Sequence, residues 1–326
     1  MDDNRTVSVQ LVDAFTDEPL AGNPAGVVAD AGGLDATQMQ SIARELSVSE
    51  TAFLTESAEA DYRIRYFTPT DEVDLCGHAT IGSFVSLQAA GRVEAGTTTI
   101  ETNVGVLEID VDGDGTVWMR QNPPTIREVD VSYDRVADAL GVDRAALDGV
   151  AADLPLAVAS TGLAFLVVPI AFLQDVGAAD PDMTAIEALA DAVDAVGVYL
   201  FSFDALDATS TLHGRMFAPG VGVPEDPVTG TASGAVGAYL RRFGAFSGGG
   251  TETVAAAGEG SDAGVAIATD EETPDEMRFE QGHYVERPGL VRVRFDDGVR
   301  VGGRGVVSLE GRLQVPESDD DRIIEG

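Results

Sequence analysis

Two stretches decide how this chain folds: Arg65-Tyr66-Phe67-Thr68-Pro69 and, just after it, Asp74-Leu75-Cys76-Gly77-His78-Ala79-Thr80. The chain repeats them. Arg215-Met216-Phe217-Ala218-Pro219 carries the same Arg-x-Phe-x-Pro pattern 150 positions later (215 − 65). Gly230-Thr231-Ala232-Ser233 then answers Gly77-His78-Ala79-Thr80 at an offset of 153 (230 − 77). Each copy reads as strand, proline turn, glycine opening and helix, and agreement at all four levels points to an internal duplication where a five-residue match alone would not. Two such halves imply two helix N-termini facing a shared cleft, with unpaired N–H groups and the positive ends of both macrodipoles suited to a carboxylate. Taken singly, Gly77 and Gly230 read equally well as turn glycines.

Outward from the repeat, period-two runs predict strands over Val7–Phe15, Glu50–Leu54, Asp61–Phe67, Thr97–Thr102, Gly105–Val111 and Val117–Gln121. Further strands are expected at Ala164–Val168, Gly197–Phe203, Arg278–Gln281, Leu290–Phe295 and Val306–Leu313. Helical spacing predicts Asp35–Leu46, opened by a capping box of Asp35 and Gln38, and a helix from Gly77 to about Ala90. Tyr133–Leu140, Met183–Val196 and Gly230–Phe243 complete the helices. The expected architecture is α+β in two related domains: residues 1–122, completed by 306–326, and residues 123–305. Ser247–Glu276 reads as an exposed acidic loop and Glu317–Asp321 as a frayed tail.

Composition narrows the function. The 326 residues hold 56 acidic and 20 basic side chains, a formal net charge of −36, with 44% apolar residues and no lysine. Such a surface repels nucleic acid. Without lysine there is no pyridoxal Schiff base, no P-loop lysine and no lysine base. An acid excess on a fully globular composition predicts a salt-adapted, haloarchaeal-type protein of the cytoplasm. A single cysteine, Cys76, excludes a disulfide framework. The acidic start has no export signal. The uncharged stretch Leu154–Leu173 is long enough to span a bilayer, but Pro155, Ser160-Thr161-Gly162 and Pro169 split it into two buried strands.

Asp13-Ala14-Phe15-Thr16, Gly22-Asn23-Pro24-Ala25-Gly26, Ser49-Glu50-Thr51-Ala52-Phe53, Asp74-Leu75-Cys76-Gly77-His78-Ala79-Thr80, Glu225-Asp226-Pro227-Val228-Thr229-Gly230 and Gln281-Gly282 resemble, in order, the phenazine-biosynthesis PhzF-like family. Ser160-Thr161-Gly162 and Val301-Gly302-Gly303 extend the resemblance over nearly the whole chain. It implies a diaminopimelate epimerase-like fold, each domain a barrel-like sheet around a central helix. It also implies a cofactor-free isomerase of a small carboxylated metabolite, and a homodimer. By motif position Glu50 is the general acid/base, with His78 and Asp226 as its polar partners. Gly77, Gly230 and Thr231 are implied as substrate-binding positions.

Read from the residues alone, Glu50 is an acidic strand residue beside apolar Ala52, Phe53 and Leu54, a setting expected to raise its pKa. His78 fits a surface position in a first helical turn equally well, and Asp226 a turn before proline. Diaminopimelate-type epimerases use two cysteine bases; Cys76 stands at one position, and its repeat partner is Thr229 (229 − 76 = 153). A two-thiol racemase is therefore disfavoured, and a binding protein that lost the reaction is the other alternative. Asp110, Asp112, Asp114 and Gly115 imitate a calcium loop that lacks its glutamate, so a strand turn is expected. Gly258-x-Gly260-x-x-Ala263 imitates a dinucleotide fingerprint without a preceding strand. The three histidines lack ligand spacing, so no metal is expected.

Overall fold

A computed structural model describes residues 5–150, 153–246 and 273–317. In chain order the elements are β1 (Thr6–Ala14), β2 (Asn23–Val28), α1 (Ala36–Leu46), β3 (Glu50–Thr55), β4 (Tyr62–Phe67), β5 (Glu72–Val73), α2 (Gly77–Ala89), β6 (Gly96–Thr102), β7 (Gly105–Val111) and β8 (Val117–Arg120). They continue with β9 (Thr125–Glu128), α3 (Tyr133–Leu140), α4 (Arg144–Asp148), β10 (Ala157–Ser160), β11 (Ala164–Pro169), α5 (Leu173–Ala178), α6 (Met183–Asp191), β12 (Gly197–Ser202) and β13 (Leu212–Ala218). β14 (Val223–Asp226), α7 (Gly230–Arg242), β15 (Glu276–Gln281), β16 (Gly289–Arg294), β17 (Arg300–Gly303) and β18 (Gly305–Gln314) complete them. Among the described residues no helix is long and apolar enough to cross a membrane. Two compact units result: Met1–Arg120 with Glu286–Leu290 and Gly302–Gly326, and Gln121–Val285 with Val291–Val301.

In the first unit β1 pairs antiparallel with β18 and β2, β2 runs parallel to β3 through α1, and β3 pairs antiparallel with β4. β4 then runs parallel to β6 through α2. The sheet curves round α2, which packs against β1, β2, β3, β8 and β18. Every residue from Ala79 to Leu87 is buried, and the Thr80 and Ser83 hydroxyls are satisfied within the helix by bonding back to Cys76 O and Ala79 O, so the helix fits inside the sheet. Phe84, Ile81 and Leu87 each contribute about 1.5 to 3 kcal/mol by leaving water. Outside the sheet, α1 lays Met39, Ile42 and Ala43 on Phe53 and Phe67. Its start is fixed by the expected box: Gln38 N donates to Asp35 Oδ1 at 2.8 Å, and Asp35 N to Gln38 Oε1 at 3.1 Å.

The second unit reproduces these pairings one by one. β10 pairs antiparallel with β9 and β11, β11 runs parallel to β12, β12 pairs antiparallel with β13, and β13 runs parallel to β15 through α7. Buried from Ala232 to Leu240, α7 packs against β9, β10 and β11. The stretch Leu154–Leu173 does hold two buried strands, β10 and β11. Asp112–Thr116 is the turn between β7 and β8, with Trp118 Nε1 donating to Asp112 Oδ2 at 2.9 Å. One helix is shorter than its pattern. α6 stops at Asp191 because Asp194 takes a left-handed φ of 52°, while Val193 and Ala195 stay buried and prolong the apolar signal beyond the helix. The acidic loop, apart from its last four residues, lies outside the described residues, as do the Gly258 to Ala263 imitation and the tail after Glu317.

Candidate active site

Glu50 opens β3 beside Ala25 of β2, and α2 packs on the same strands, so the first turn of the helix meets the start of the strand. His78 Nε2 lies 3.4 Å from Glu50 Oε2, with side chains 12% and 23% exposed. The contact lacks hydrogen-bond geometry, and Glu50 Oε2 is a buried acceptor without a hydrogen bond. A buried oxygen in that state is costly to hold and is satisfied by a donor from a bound ligand. His78 is held at both nitrogens: Ser49 Oγ is 3.2 Å from Nε2 and Cys76 Sγ is 3.4 Å from Nδ1. Cys76, a buried residue, is the cap residue of α2 and makes no side-chain cap bond. The first-turn amides of α2 therefore take no acceptor from their cap side chain. Thr80 Oγ1 bonds back to Cys76 O at 2.7 Å and contacts Tyr66 Oη at 2.7 Å. Burial pushes the Tyr66 phenol well above its ordinary range, so it stays protonated.

In the second unit, α7 opens at Gly230-Thr231 behind Thr229, a cap residue that likewise makes no side-chain cap bond. Thr229 Oγ1 instead donates to Asp226 Oδ2 at 2.5 Å, which fixes the carboxylate at the end of β14. Gln281, 1% exposed, ties the opening together: Oε1 accepts from Thr229 N at 3.2 Å, and Nε2 donates to Asp226 O at 2.8 Å. Thr161 Oγ1 donates to Thr231 O at 3.1 Å. Ser233 Oγ bonds back to Thr229 O at 2.9 Å, as Thr80 does to Cys76.

Strand register extends the repeat to Glu50. Thr51 pairs with Phe67 and Val198 with Phe217, so Glu50 corresponds to Gly197. No side chain fits there, because a Cβ on Gly197 would overlap the Phe217 carbonyl oxygen and lie 2.9 Å from Ala218 Cβ.

Thus Glu50, His78 and Cys76 are brought together in one unit, and Asp226, Gly230 and Thr231 in the other. Sequence reasoning singled out Glu50 and His78 but not their contact with Cys76: the three offer a carboxylate, a thiol and an imidazole within 4.8 Å of one another. Linear spacing hid this, since 26 residues separate Glu50 from Cys76 (76 − 50). Gln281 was visible only as part of a motif. Thr161 likewise was visible only within the motif Ser160-Thr161-Gly162.

Residues 12–311 match the family model described as phenazine biosynthesis-like protein, PhzC-PhzF. An uncharacterized isomerase of Deinococcus radiodurans is 38% identical over 313 residues, 92% of each chain. The uncharacterized isomerase YfhB of Bacillus subtilis is 38% identical over 245 residues, 74% of this chain and 83% of that one. A crystal structure of a PhzF-family phenazine biosynthesis protein from Bacillus anthracis has a TM-score of 0.79 at 33% identity, covering 95% of this chain and 99% of that one. The fold is the expected α+β, diaminopimelate epimerase-like one. With the fold, the motif order and the relatives in agreement, the chain belongs to the phenazine biosynthesis-like family and is an isomerase.

Proposed function

We propose that this isomerase moves a proton between two carbons of a small carboxylated, cyclic metabolite, using Glu50 as its single acid and base. The observation that carries the reading is the setting of Glu50, whose buried Oε2 has no hydrogen bond and lies 3.4 Å from His78, while the matching position of the repeat is glycine. In this scheme a substrate C–H proton passes to the Glu50 carboxylate and the electron pair delocalises into the substrate. The carboxylic acid then protonates a second carbon, so Glu50 ends as it began. His78 and Asp226 hydrogen-bond the substrate. The amides at Gly77, Gly230 and Thr231 hold its carboxylate. A two-thiol epimerase is not supported, because Cys76 is the chain's only cysteine and Thr229 stands at the matching position.

The test is isotopic. In deuterated water the substrate should gain deuterium at the receiving carbon, because Glu50 exchanges its proton with solvent before returning it. Small cyclic acids that bind but never exchange a C–H proton would identify a binding protein. The charge of −36 without lysine supports a second part of the reading, an enzyme of a salt-rich cytoplasm. Its far-ultraviolet circular dichroism should collapse on dialysis from molar salt into dilute buffer. An unchanged spectrum and melting temperature would refute salt dependence. Dimerisation is proposed on the resemblance alone.

A further inference from the structure

We propose that Glu50, Cys76 and His78 form a binding site for a thiophilic divalent cation such as zinc. The three ligand types are those that zinc accepts, and their donor atoms already lie within 4.8 Å of one another. A tetrahedral zinc with bonds of about 2.0 to 2.3 Å places its donors about 3.3 to 3.6 Å apart. Cys76 Sγ and His78 Nδ1, at 3.4 Å, already have that spacing. The Glu50 carboxylate, whose Oε2 now lies 3.4 Å from the other ring nitrogen, Nε2, has to turn towards the Nδ1 side, and it breaks no hydrogen bond to the described residues at Oε2 in doing so.

The outer partner is also in place. With Nδ1 on the metal, His78 Nε2–H donates to Ser49 Oγ, now 3.2 Å away, which fixes the tautomer and the ring plane. Binding releases the thiol proton to solvent and leaves the metal with one thiolate, one carboxylate and one neutral imidazole. The remaining position is open to water. Occupancy would withdraw the Glu50 oxygen from proton transfer. That consequence rests on the function proposed above; the binding itself does not.

Because Cys76 is the only cysteine, cobalt(II) serves as an unambiguous probe: a thiolate-to-cobalt charge-transfer band can arise at no other side chain. Excess magnesium occupies the surface carboxylates, which suit harder cations. Under those conditions one equivalent of cobalt should produce the band and zinc should displace it. Cys76→Ser should abolish the band and weaken zinc binding at least tenfold, and Ser49→Ala should weaken it by about 10 to 100-fold. Zinc should also slow alkylation of Cys76 in the unsubstituted protein at least tenfold, a result that depends on no variant folding. Cobalt bound without the band, zinc held equally well by folded Cys76→Ser, or alkylation at an unchanged rate would each overturn the proposal. None of these readings involves turnover, so deuterium incorporation remains a separate test of Glu50.

Discussion

The two units share a scaffold and differ in chemistry. Their ladders correspond strand for strand, and the central helices α2 and α7 both open without a side-chain cap bond. Both keep an arginine paired bidentately with a glutamate: Arg65 with Glu72 and Arg215 with Glu225. The divergence lies at the start of one strand and at the helix openings. Where the first unit has Glu50, Cys76 and His78, the second has Gly197, Thr229 and Thr231. A second divergence lies on the parallel ladder. Arg63 pairs with Glu101 between β4 and β6 at 3.7 Å, with side chains 20% and 31% exposed. At the matching place His213 pairs with Glu280 between β13 and β15 at 2.9 Å, 0% and 6% exposed. The lesson is that a duplicated frame constrains backbone pairing and helix burial, and leaves the side chains at the helix openings and on the ladder free to diverge.

The largest expected effect falls on that asymmetry. Glu50→Gln keeps volume but removes the base, so turnover should fall by about two to four orders of magnitude with little change in melting temperature. Steady-state kinetics on a substrate identified by deuterium uptake would read it. Activity within about threefold of the parent would break the single-base reading.

Next in size is the buried pair of the second unit. Burial raises the Glu280 carboxyl, but the bonds from His213 and from the Leu206 and Asp207 amides outweigh it and hold the group at about 2. A carboxyl held below its ordinary 4.5 stabilises the fold fully above that value and loses the contribution as pH falls towards 2. Glu280→Gln should therefore cost about 3 to 5 kcal/mol at neutral pH, since it leaves buried donors mismatched. It should also flatten the acid limb of the urea midpoint below pH 4.5. His283, its ring tilted against His213 with centroids 4.8 Å apart, is depressed by burial and then by that neighbour, so its contribution is lost as pH falls below 6.5.

Gly197 gives the third test. Gly197→Ala pushes a methyl into the Phe217 carbonyl, which belongs to a paired strand and cannot yield cheaply. A loss of about 1 to 3 kcal/mol is expected by chemical denaturation. A neutral result would show that the second unit had room for a side chain at the Glu50 position.

Most of this architecture was legible in sequence because its signals are local. The Asp35–Gln38 box, the helical spacing of Ile81, Phe84 and Val85 in α2 and the alternation of Gly105–Val111 need no tertiary context. β2 was missed because Asn23-Pro24 reads as a turn, although it pairs with β1 and β3. β5 and β14, two and four residues long, are too short for any period. At the site, motif order indicated Glu50, His78 and Asp226. The Glu50–His78 contact and the Gln281 bridge depend on how strands and helices pack, which no spacing along the chain encodes. Repeat arithmetic reached Thr229 from Cys76, but Gly197 emerged only from strand register.

The smallest effect is the control on the buried pair. Glu101→Gln removes the partner of Arg63 at the place that matches Glu280, so a shared scaffold alone would predict a similar cost. Exposure decides otherwise. At 3.7 Å and about a third exposed, Glu101 keeps much of its hydration, and Arg63 regains water when the carboxylate is lost. Glu101 also accepts from Ser57 Oγ at 2.5 Å, a bond that the glutamine amide oxygen can replace. The expected loss is at most about 1 kcal/mol, shrinking as salt is raised because exposed pairs are screened. The loss from Glu280→Gln should stay nearly constant over the same salt range. Equal costs in urea titrations at two salt concentrations would mean that ladder position, and not burial, sets the worth of these pairs.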